Sequence, residues 1–287
     1  MLTATDLYIR DAEPSDAEAC GRIFYDAFAA IADRHAFAVE PDSPEFTAFH
    51  AGMMLSLDGI ICVVAERDAT VIGTAFADTR GPIAGIGPVS VDPGSQDAGT
   101  GRRLMEALLD RTRGAAGVRL VQTAYHARSL ALYAKLGFAV REPLSVLQGA
   151  PLQRSVPGLG VRPAHPDDVP ACDALCRRVH GHDRSGELQG AIATGTARVV
   201  ERPDRISGYA TGFGYGWHAV AETNDDLQAL IASAEAFVSL GILVPSRNTP
   251  LLGWCLENGL RLVQQSTLMT MGLYNEAQGA WLPSIVY

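Results

Sequence analysis

The most informative stretch of the chain reads Val89-Ser90-Val91-Asp92-Pro93-Gly94-Ser95-Gln96-Asp97-Ala98-Gly99-Thr100-Gly101-Arg102-Arg103-Leu104. Its alternating valines predict a strand, and the apolar residues Leu104 and Leu108 predict a helix after the turn. Gly114 is expected to cap that helix. The turn between strand and helix therefore directs several backbone N–H groups and the positive end of a helix dipole at one point. Such a point suits a phosphate.

Two familiar phosphate-binding loops do not fit this turn. A P-loop places Lys-Ser or Lys-Thr after its second glycine, where this chain has Arg102-Arg103. A dinucleotide fingerprint needs a third glycine, and Leu104 holds that place. The remaining pattern, Gln-x-x-Gly-x-Gly after a Val-x-Val strand, resembles the acetyl-CoA motif of the GNAT acetyltransferase superfamily.

A second motif carries the same resemblance. Residues 129–138 read Ser-Leu-Ala-Leu-Tyr-Ala-Lys-Leu-Gly-Phe, which is similar to the family's Leu-Tyr-x-Lys-Leu-Gly-Phe ending. Between residues 7 and 147 the hydrophobic pattern predicts a strand, two helices, three strands, a helix, a strand, a helix and a strand. A GNAT domain has this order. The resemblance implies an α+β fold, an α/β sandwich with a mixed, mostly antiparallel central sheet flanked by helices.

Several boundaries are predicted for these elements. The strands are expected at 7–10, 60–66, 71–78, 83–91 and 118–123, and the helices from a capping box at 15–18, over 44–55 and over 129–136.

The second half of the chain repeats features of the first. Ile9–Asp16 resembles Val161–Asp168, and three further similar segments follow in the same order. Residues 149–160 contain three Gly and two Pro, which predicts a linker. We therefore predict two tandem GNAT-like domains, 1–148 for acetyl-CoA binding and catalysis and 161–287 for closure of the acceptor side or an interface.

The second copy lacks the glycine turn. Glu222-Thr223-Asn224-Asp225-Asp226 opens a helix without glycines and with an acidic first turn. Acidic residues stabilise a helix N-terminus but repel a pyrophosphate there. This copy resembles the degenerate C-terminal domain of tandem GNAT proteins, and it is expected to bind no cofactor.

The resemblance implies which residues hold acetyl-CoA, the expected cosubstrate. Backbone N–H groups of the turn would cradle the pyrophosphate, and Gln96 would brace the turn. Arg102 and Arg103 oppose the helix dipole at a cost of about 0.3–1 kcal/mol, unless an anion lies beside them; alternatively both point into solvent. The implied cofactor-binding residues are Val89, Val91, Gln96, Asp97, Ala98, Gly99, Thr100, Gly101, Arg102, Arg103, His126, Ser129 and Tyr133.

The resemblance also implies three catalytic residues. The backbone N–H of Val89 would polarise the thioester carbonyl, and Pro88 before it would break the strand ladder. Tyr133 matches the family's general acid, with simple packing as the alternative. His126 stands where many relatives carry asparagine, so it either replaces that asparagine or accepts a proton from the amine.

Neither the general base nor the acceptor pocket is defined by a motif. Glu66, Asp78 and Asp92 are carboxylates near the predicted active-site strands, and a chain of water molecules would serve as well. The candidates for the acceptor pocket, chosen only by location, are Tyr25, Phe28, His35, Phe37, Phe46 and His50. The apolar tail from Tyr274 to Tyr287 is expected to dock across a domain interface.

Composition and charge limit the partners. The chain has 287 residues, 47% hydrophobic and 19% charged, with a net charge of −9. That charge argues against nucleic acid. Five cysteines cannot all pair, and neither Cys172 with Cys176 nor the group His180–Asp183 has further ligands in view, so no metal is expected. Without a leader or a long apolar run, we expect a cytoplasmic monomer or homodimer with no membrane partner.

The sequence therefore predicts an acetyl-CoA-dependent N-acetyltransferase that acts on a primary amine of a small molecule or peptide. The first alternative is a non-catalytic acyl-CoA-binding sensor or regulatory module. A structural partner subunit is a second alternative, but it would leave the glycine turn unexplained.

Overall fold

The computed structural model describes residues 7–39, 43–96 and 98–285. They form two compact units. The first contains the described residues up to 120 together with 125–139, and the second contains 121–124 together with 140–285. No helix of the described part is long and apolar enough to cross a membrane.

The first unit has the predicted order of elements. They are β1 (Tyr8–Asp11), α1 (Ala17–Arg34), α2 (Pro44–Leu55), β2 (Ile60–Arg67), β3 (Thr70–Asp78), β4 (Ile83–Val91), α3 (Thr100–Arg111), the first four residues of β5 (Gly117–Thr123), α4 (Ala127–Lys135) and the first residue of β6 (Ala139–Gln148). Strands β1 to β4 pair antiparallel in sequence order, and β4 pairs parallel with β5. The predicted α+β fold with a mixed, mostly antiparallel sheet is confirmed.

Helices cover both faces of this sheet because side chains alternate along a strand. Cys62 and Phe76 share one face and pack with Cys20 of α1 and Met54 of α2. On the other face, Leu104 of α3 packs over Gly73. The sheet thus has helices α1 and α2 on one face and helix α3 on the other.

Two details of the predicted helix ends are wrong. The capping box forms earlier than 15–18, between Glu13 and Asp16 around a short 3-10 turn, because the Asp16 carboxylate accepts from the Glu13 N–H at 2.7 Å. Helix α3 ends at Arg111 with Thr112 as its cap, and Gly114 lies beyond it. The Thr112 hydroxyl donates to the Leu108 carbonyl at 3.0 Å, so no glycine is needed there.

The second unit contains the remaining elements. They are the rest of β5 and of β6, β7 (Gly160–Pro163), α5 (Val169–His180), α6 (Ser185–Ala193), β8 (Arg198–Arg202), β9 (Arg205–Ala210), β10 (Ala219–Ala221), α7 (Asn224–Ala232), β11 (Ile242–Pro245), α8 (Thr249–Glu257), β12 (Arg261–Gly272) and β13 (Ala280–Leu282). One sheet has the order β13-β10-β9-β8-β7, and β12, β6 and β11 are neighbours in that order. Strand β6 pairs antiparallel with β11.

Both units contain the same ion-pair arrangement. In each, an arginine of the first strand binds the aspartate that caps the following helix and a glutamate of the next strand. The distances are 2.6 Å for Arg10–Asp16, 2.9 Å for Arg10–Glu66, 2.6 Å for Arg162–Asp168 and 2.7 Å for Arg162–Glu201. These hydrogen bonds to arginine hold the pKa of Asp16 and of Asp168 below the usual range.

Candidate active site

The outer edge of β4 has backbone groups with which no described strand pairs. Asp92 N–H donates to Ile72 O at 2.9 Å, and Val91 faces Gly73 in the same register. Along an antiparallel strand, the N–H and C=O of one residue point to one side, and those of the next residue point to the other side. Val89 and Val91 therefore direct their backbone groups away from β3.

Nothing in the described sheet covers that edge. The pairing of β4 with β5 runs only from Ile83 with Gly117 to Gly85 with Arg119. Beyond Gly85, no described strand pairs with β4 on the side away from β3. The two parallel strands therefore diverge, which leaves the backbone of Val89 and Val91 accessible from this side.

The expected break in the ladder lies at Pro88. Ala75 pairs with Val89, but Ala77 pairs with Ile86, so β4 has one extra residue opposite Phe76. This is a β-bulge, and it falls where proline removes a donor.

The start of α3 has no side-chain cap. Its N-cap residue is Gly99, at φ 79° in the left-handed region that glycine adopts without a steric penalty. Because glycine has no side chain, it cannot accept from the N–H groups of the first helical turn. These donors and the helix dipole provide an anion-binding position.

The glycine turn, β4 and α4 meet at one point. A methyl group added to Gly101 would lie 3.8 Å from Val91 Cγ2 and 3.7 Å from Leu132 Cδ2. The open strand edge, the uncapped helix start and the helix that carries Tyr133 are therefore neighbours.

The side chains predicted around the turn have different contacts. Gln96 Nε2 donates to Val91 O at 3.1 Å and so braces the turn. Arg102 forms an exposed ion pair with Glu106 at 3.1 Å, while Arg103 is exposed. Thr100 is buried, and Ala98 is exposed. Asp97 lies outside the described residues.

Tyr133 is buried on α4. Its side chain is 9% exposed, and its ring meets Phe138 edge-on at 6.1 Å between centroids. Burial raises the pKa of Tyr133 to about 12. The phenol is therefore protonated at neutral pH and available as a proton donor.

His126 is the N-cap residue of α4, but its side chain makes no capping hydrogen bond. Seven residues separate it from Tyr133, which places both on one helix face about 10 Å apart along the axis. The pKa of His126 is lowered by burial of the ring, and Arg128, His35 and Arg34 add to this shift. The imidazole is thus neutral near pH 7 and able to accept a proton.

Ser129 is engaged with the backbone of its own helix. Its hydroxyl donates to His126 O at 2.9 Å. In the second unit the matching cap is Asn248, whose side chain accepts from Leu251 N–H at 3.3 Å. The Ser129 bond goes to a carbonyl and therefore caps no N–H group, whereas Asn248 does.

Aromatic residues of the first unit form separate groups. His35 and Phe37 both contact Tyr125, and Phe37 stacks on it at 4.2 Å between centroids. Phe28 contacts Phe24 of its own helix, and Phe46 stacks on His50. The sequence analysis missed Tyr125, although it directly precedes His126.

The three candidate carboxylates already have partners. Glu66 binds Arg10, Asp78 binds Arg80, and Asp92 accepts from the Gly94 N–H at 2.9 Å. In the described part of the chain, no group of three or more His, Cys, Asp or Glu side chains could hold a metal ion.

Comparison with known proteins identifies a domain family for part of the chain. Residues 58–140 match the family model described as an acetyltransferase (GNAT) domain. An IAA acetyltransferase of Azospirillum brasilense is 37% identical over 94 residues, which are 31% of this chain and 61% of that protein. The match therefore spans less than two thirds of that relative.

Two solved structures share the fold over nearly the whole chain. A suspected acetyltransferase of Pyrococcus horikoshii is 21% identical with a TM-score of 0.72, covering 98% of this chain and 96% of that one. A GCN5-related N-acetyltransferase of Sphaerobacter thermophilus is 16% identical with a TM-score of 0.64, covering 96% and 98%. Residues 58–140 therefore match a GNAT acetyltransferase domain, and over nearly the whole chain the fold is that of the two solved structures.

Proposed function

We propose that the chain is an acetyl-CoA-dependent N-acetyltransferase that acts on a primary amine of a small molecule or peptide. The observation that carries this proposal is the open edge of β4 beside the uncapped start of α3. An extended acyl arm pairs with such an edge as an added strand does. A pyrophosphate binds at such a helix start. Acetyl-CoA combines both groups in one molecule.

The chain's own residues have three tasks in this reaction. Acetyl-CoA supplies the acetyl group as a thioester. The Val89 N–H stabilises negative charge that develops on the carbonyl oxygen as the amine attacks. Tyr133 Oη holds the proton that the departing sulfur receives, and the neutral His126 ring accepts the proton that the amine loses.

We also propose that the chain is a tandem pair in which 161–287 is a degenerate copy joined by residues 149–160. The repeated arginine and carboxylate arrangement supports this. The acidic, side-chain-capped start of α7 argues that the copy binds no pyrophosphate, since Thr223 and Asp226 cap that helix themselves.

The test is thiol release from acetyl-CoA with a panel of primary amines, run beside calorimetric binding of CoA to the same protein. We expect thiol release that depends on one class of amine, with the acetylated amine identified by mass spectrometry. Tight CoA binding without release for any amine would favour the sensor instead. No binding of CoA would reject the site.

A further inference from the structure

Strand β10 of the second unit has an outer edge like that of β4. Ala219 and Ala221 belong to the part of β10 that pairs with β9, and in this register Ala221 faces Gly208. Glu222 N–H donates to Ser207 O at 2.8 Å in the same register. Because backbone directions alternate, Ala219 and Ala221 point away from β9.

This edge corresponds to that of β4 residue by residue. Ala219 matches Val89 and Ala221 matches Val91, because each pair occupies the same positions before the turn that leads into the next helix. The two edges differ in what lies against them.

The edge of β10 is filled by the chain itself. Strand β13 pairs with it antiparallel, with Leu282 opposite Ala219 and Ala280 opposite Ala221. Both Ala280 and Leu282 are 3% exposed and belong to an apolar cluster with α7 and α8. The strand edge that no described strand covers in β4 is therefore covered by a paired strand in β10.

Further hydrogen bonds hold this segment on both sides of β13. They join Gln278 N–H to Val179 O at 2.9 Å, Ile285 N–H to Tyr215 O at 2.8 Å and Arg184 Nη2 to Ser284 Oγ at 3.1 Å. Ser284 is fully buried and Arg184 is buried.

Gly279 packs tightly against the end of β10. An added methyl group there would lie 2.6 Å from Ala221 O and 3.0 Å from Val179 Cγ2. Backbone and side chains would then have to move apart, so only glycine fits.

The helix start beside this edge is also occupied. The Asp226 carboxylate accepts from Thr223 N–H at 3.2 Å and from Ser207 Oγ at 2.7 Å. Asp226 is fully buried and binds Arg202 at 3.0 Å. The start of α7 thus has a side-chain capping box of Thr223 and Asp226, whereas the start of α3 has no side-chain cap.

We propose that the second unit contains a groove for an extended peptide strand, and that the chain fills it with its own segment Gln278–Ile285. The segment pairs with the edge of β10 that corresponds to the open edge of β4, and Thr223 with Asp226 caps the adjoining helix start. The groove therefore binds a peptide of this chain's own C-terminal sequence and no acyl-CoA. This inference concerns the second unit and holds whether or not the first unit is catalytic.

The test is amide hydrogen exchange of the full chain, measured with and without CoA. We expect Ala219 and Ala221 to be protected without CoA and unchanged by it, while Val89 and Val91 gain protection when CoA is added. Fast exchange at Ala219 and Ala221 without CoA, or new protection there on adding it, would overturn the proposal. An absent response at Val89 and Val91 would count against the proposed function only.

A substitution in the full chain tests whether the segment protects the edge of β10 while the rest of the protein stays folded. Gly279→Val should lower protection at Ala219 and Ala221 by about tenfold or more, because it displaces the segment. Gly160→Val in β7 is the matched control, since nothing lies within 4 Å of an added methyl group there. Unchanged protection in the folded Gly279→Val protein would contradict the proposal. If that variant does not fold, the exchange pattern of the unmodified chain still decides.

Discussion

Burial of Tyr133 has two opposite consequences for catalysis. It keeps the phenol protonated, since the pKa is raised to about 12. It also makes the phenol a weaker acid than a free thiol, whose pKa is about 8.5. The same desolvation raises the pKa of a thiolate in the site, so the proton transfer is less uphill there than in water. Tyr133 therefore suits proton transfer that accompanies cleavage of the carbon–sulfur bond.

Replacing this hydroxyl tests the acid role. Tyr133→Phe should lower kcat by about 100-fold or more, because the departing sulfur loses its proton donor. The KM for acetyl-CoA should change by about threefold or less, since the ring and its packing on Phe138 remain. Steady-state kinetics with a saturating amine measure both, and exposed Tyr8→Phe is the control. An unchanged kcat would favour the packing role.

At the scale of elements, a substitution in the first turn of α3 is expected to affect the stability of the helix and the binding of a pyrophosphate in opposite directions. Gly101 has room for a small side chain, since an added methyl group makes only ordinary contacts. A carboxylate there would interact favourably with the helix dipole by about 0.3–1 kcal/mol. The same carboxylate would repel a pyrophosphate at the helix start.

Gly101→Asp should therefore weaken CoA binding by about tenfold or more without lowering the melting temperature. Gly101→Asn is the uncharged control of the same shape, and it should bind CoA more tightly than the aspartate variant. Calorimetry gives the two dissociation constants, and thermal unfolding gives the melting temperatures. Equal affinities in both variants would mean that the anion does not lie at this turn.

At the scale of the whole molecule, stability depends on a buried polar cluster in the second unit. Glu187 binds Arg184 at 2.7 Å and His218 at 3.2 Å, and His218 also contacts the Tyr209 hydroxyl at 3.1 Å. Burial lowers the pKa of His218 to about 4, and Arg184 adds to this shift. Burial alone would raise the pKa of Glu187, but the charges of Arg184 and His218 lower it overall.

Because of both pKa shifts, the folded protein becomes less stable as the pH falls. As the pH falls below 6.5, the unfolded chain protonates His218 while the folded chain does not until about pH 4. Linkage then predicts a loss of about 2 kcal/mol in unfolding free energy between pH 7 and pH 5. Below the ordinary glutamate pKa, Glu187 adds a further loss, because its folded-state pKa is depressed.

Denaturant unfolding followed by tryptophan fluorescence measures this loss, since Trp217, Trp254 and Trp281 all lie in the second unit. His218→Gln should lose less stability than the unmodified chain between pH 7 and pH 5. The exposed His165→Gln variant is the control and should keep the full loss. An equal pH dependence in His218→Gln would contradict the role of this cluster.

Local sequence determined most of the secondary structure and the uncapped start of α3. Strand β4 and helix α2 begin and end where periodicity predicts, and the bulge falls at Pro88. Gly99 adopts the left-handed conformation that the turn needs. These features depend on nearby residues alone: side-chain alternation, a missing donor and a missing side chain.

Tertiary structure decided which strands meet and which groups stay open. Nothing in the residues around Val89 or Ala219 reveals that one edge is open and the other is covered by β13. Nor does the local pattern show that β6 joins β11, or that Tyr125 stacks on Phe37. Backbone hydrogen bonds carry no side-chain signature, so the pairing of distant segments is settled only when the whole core is buried.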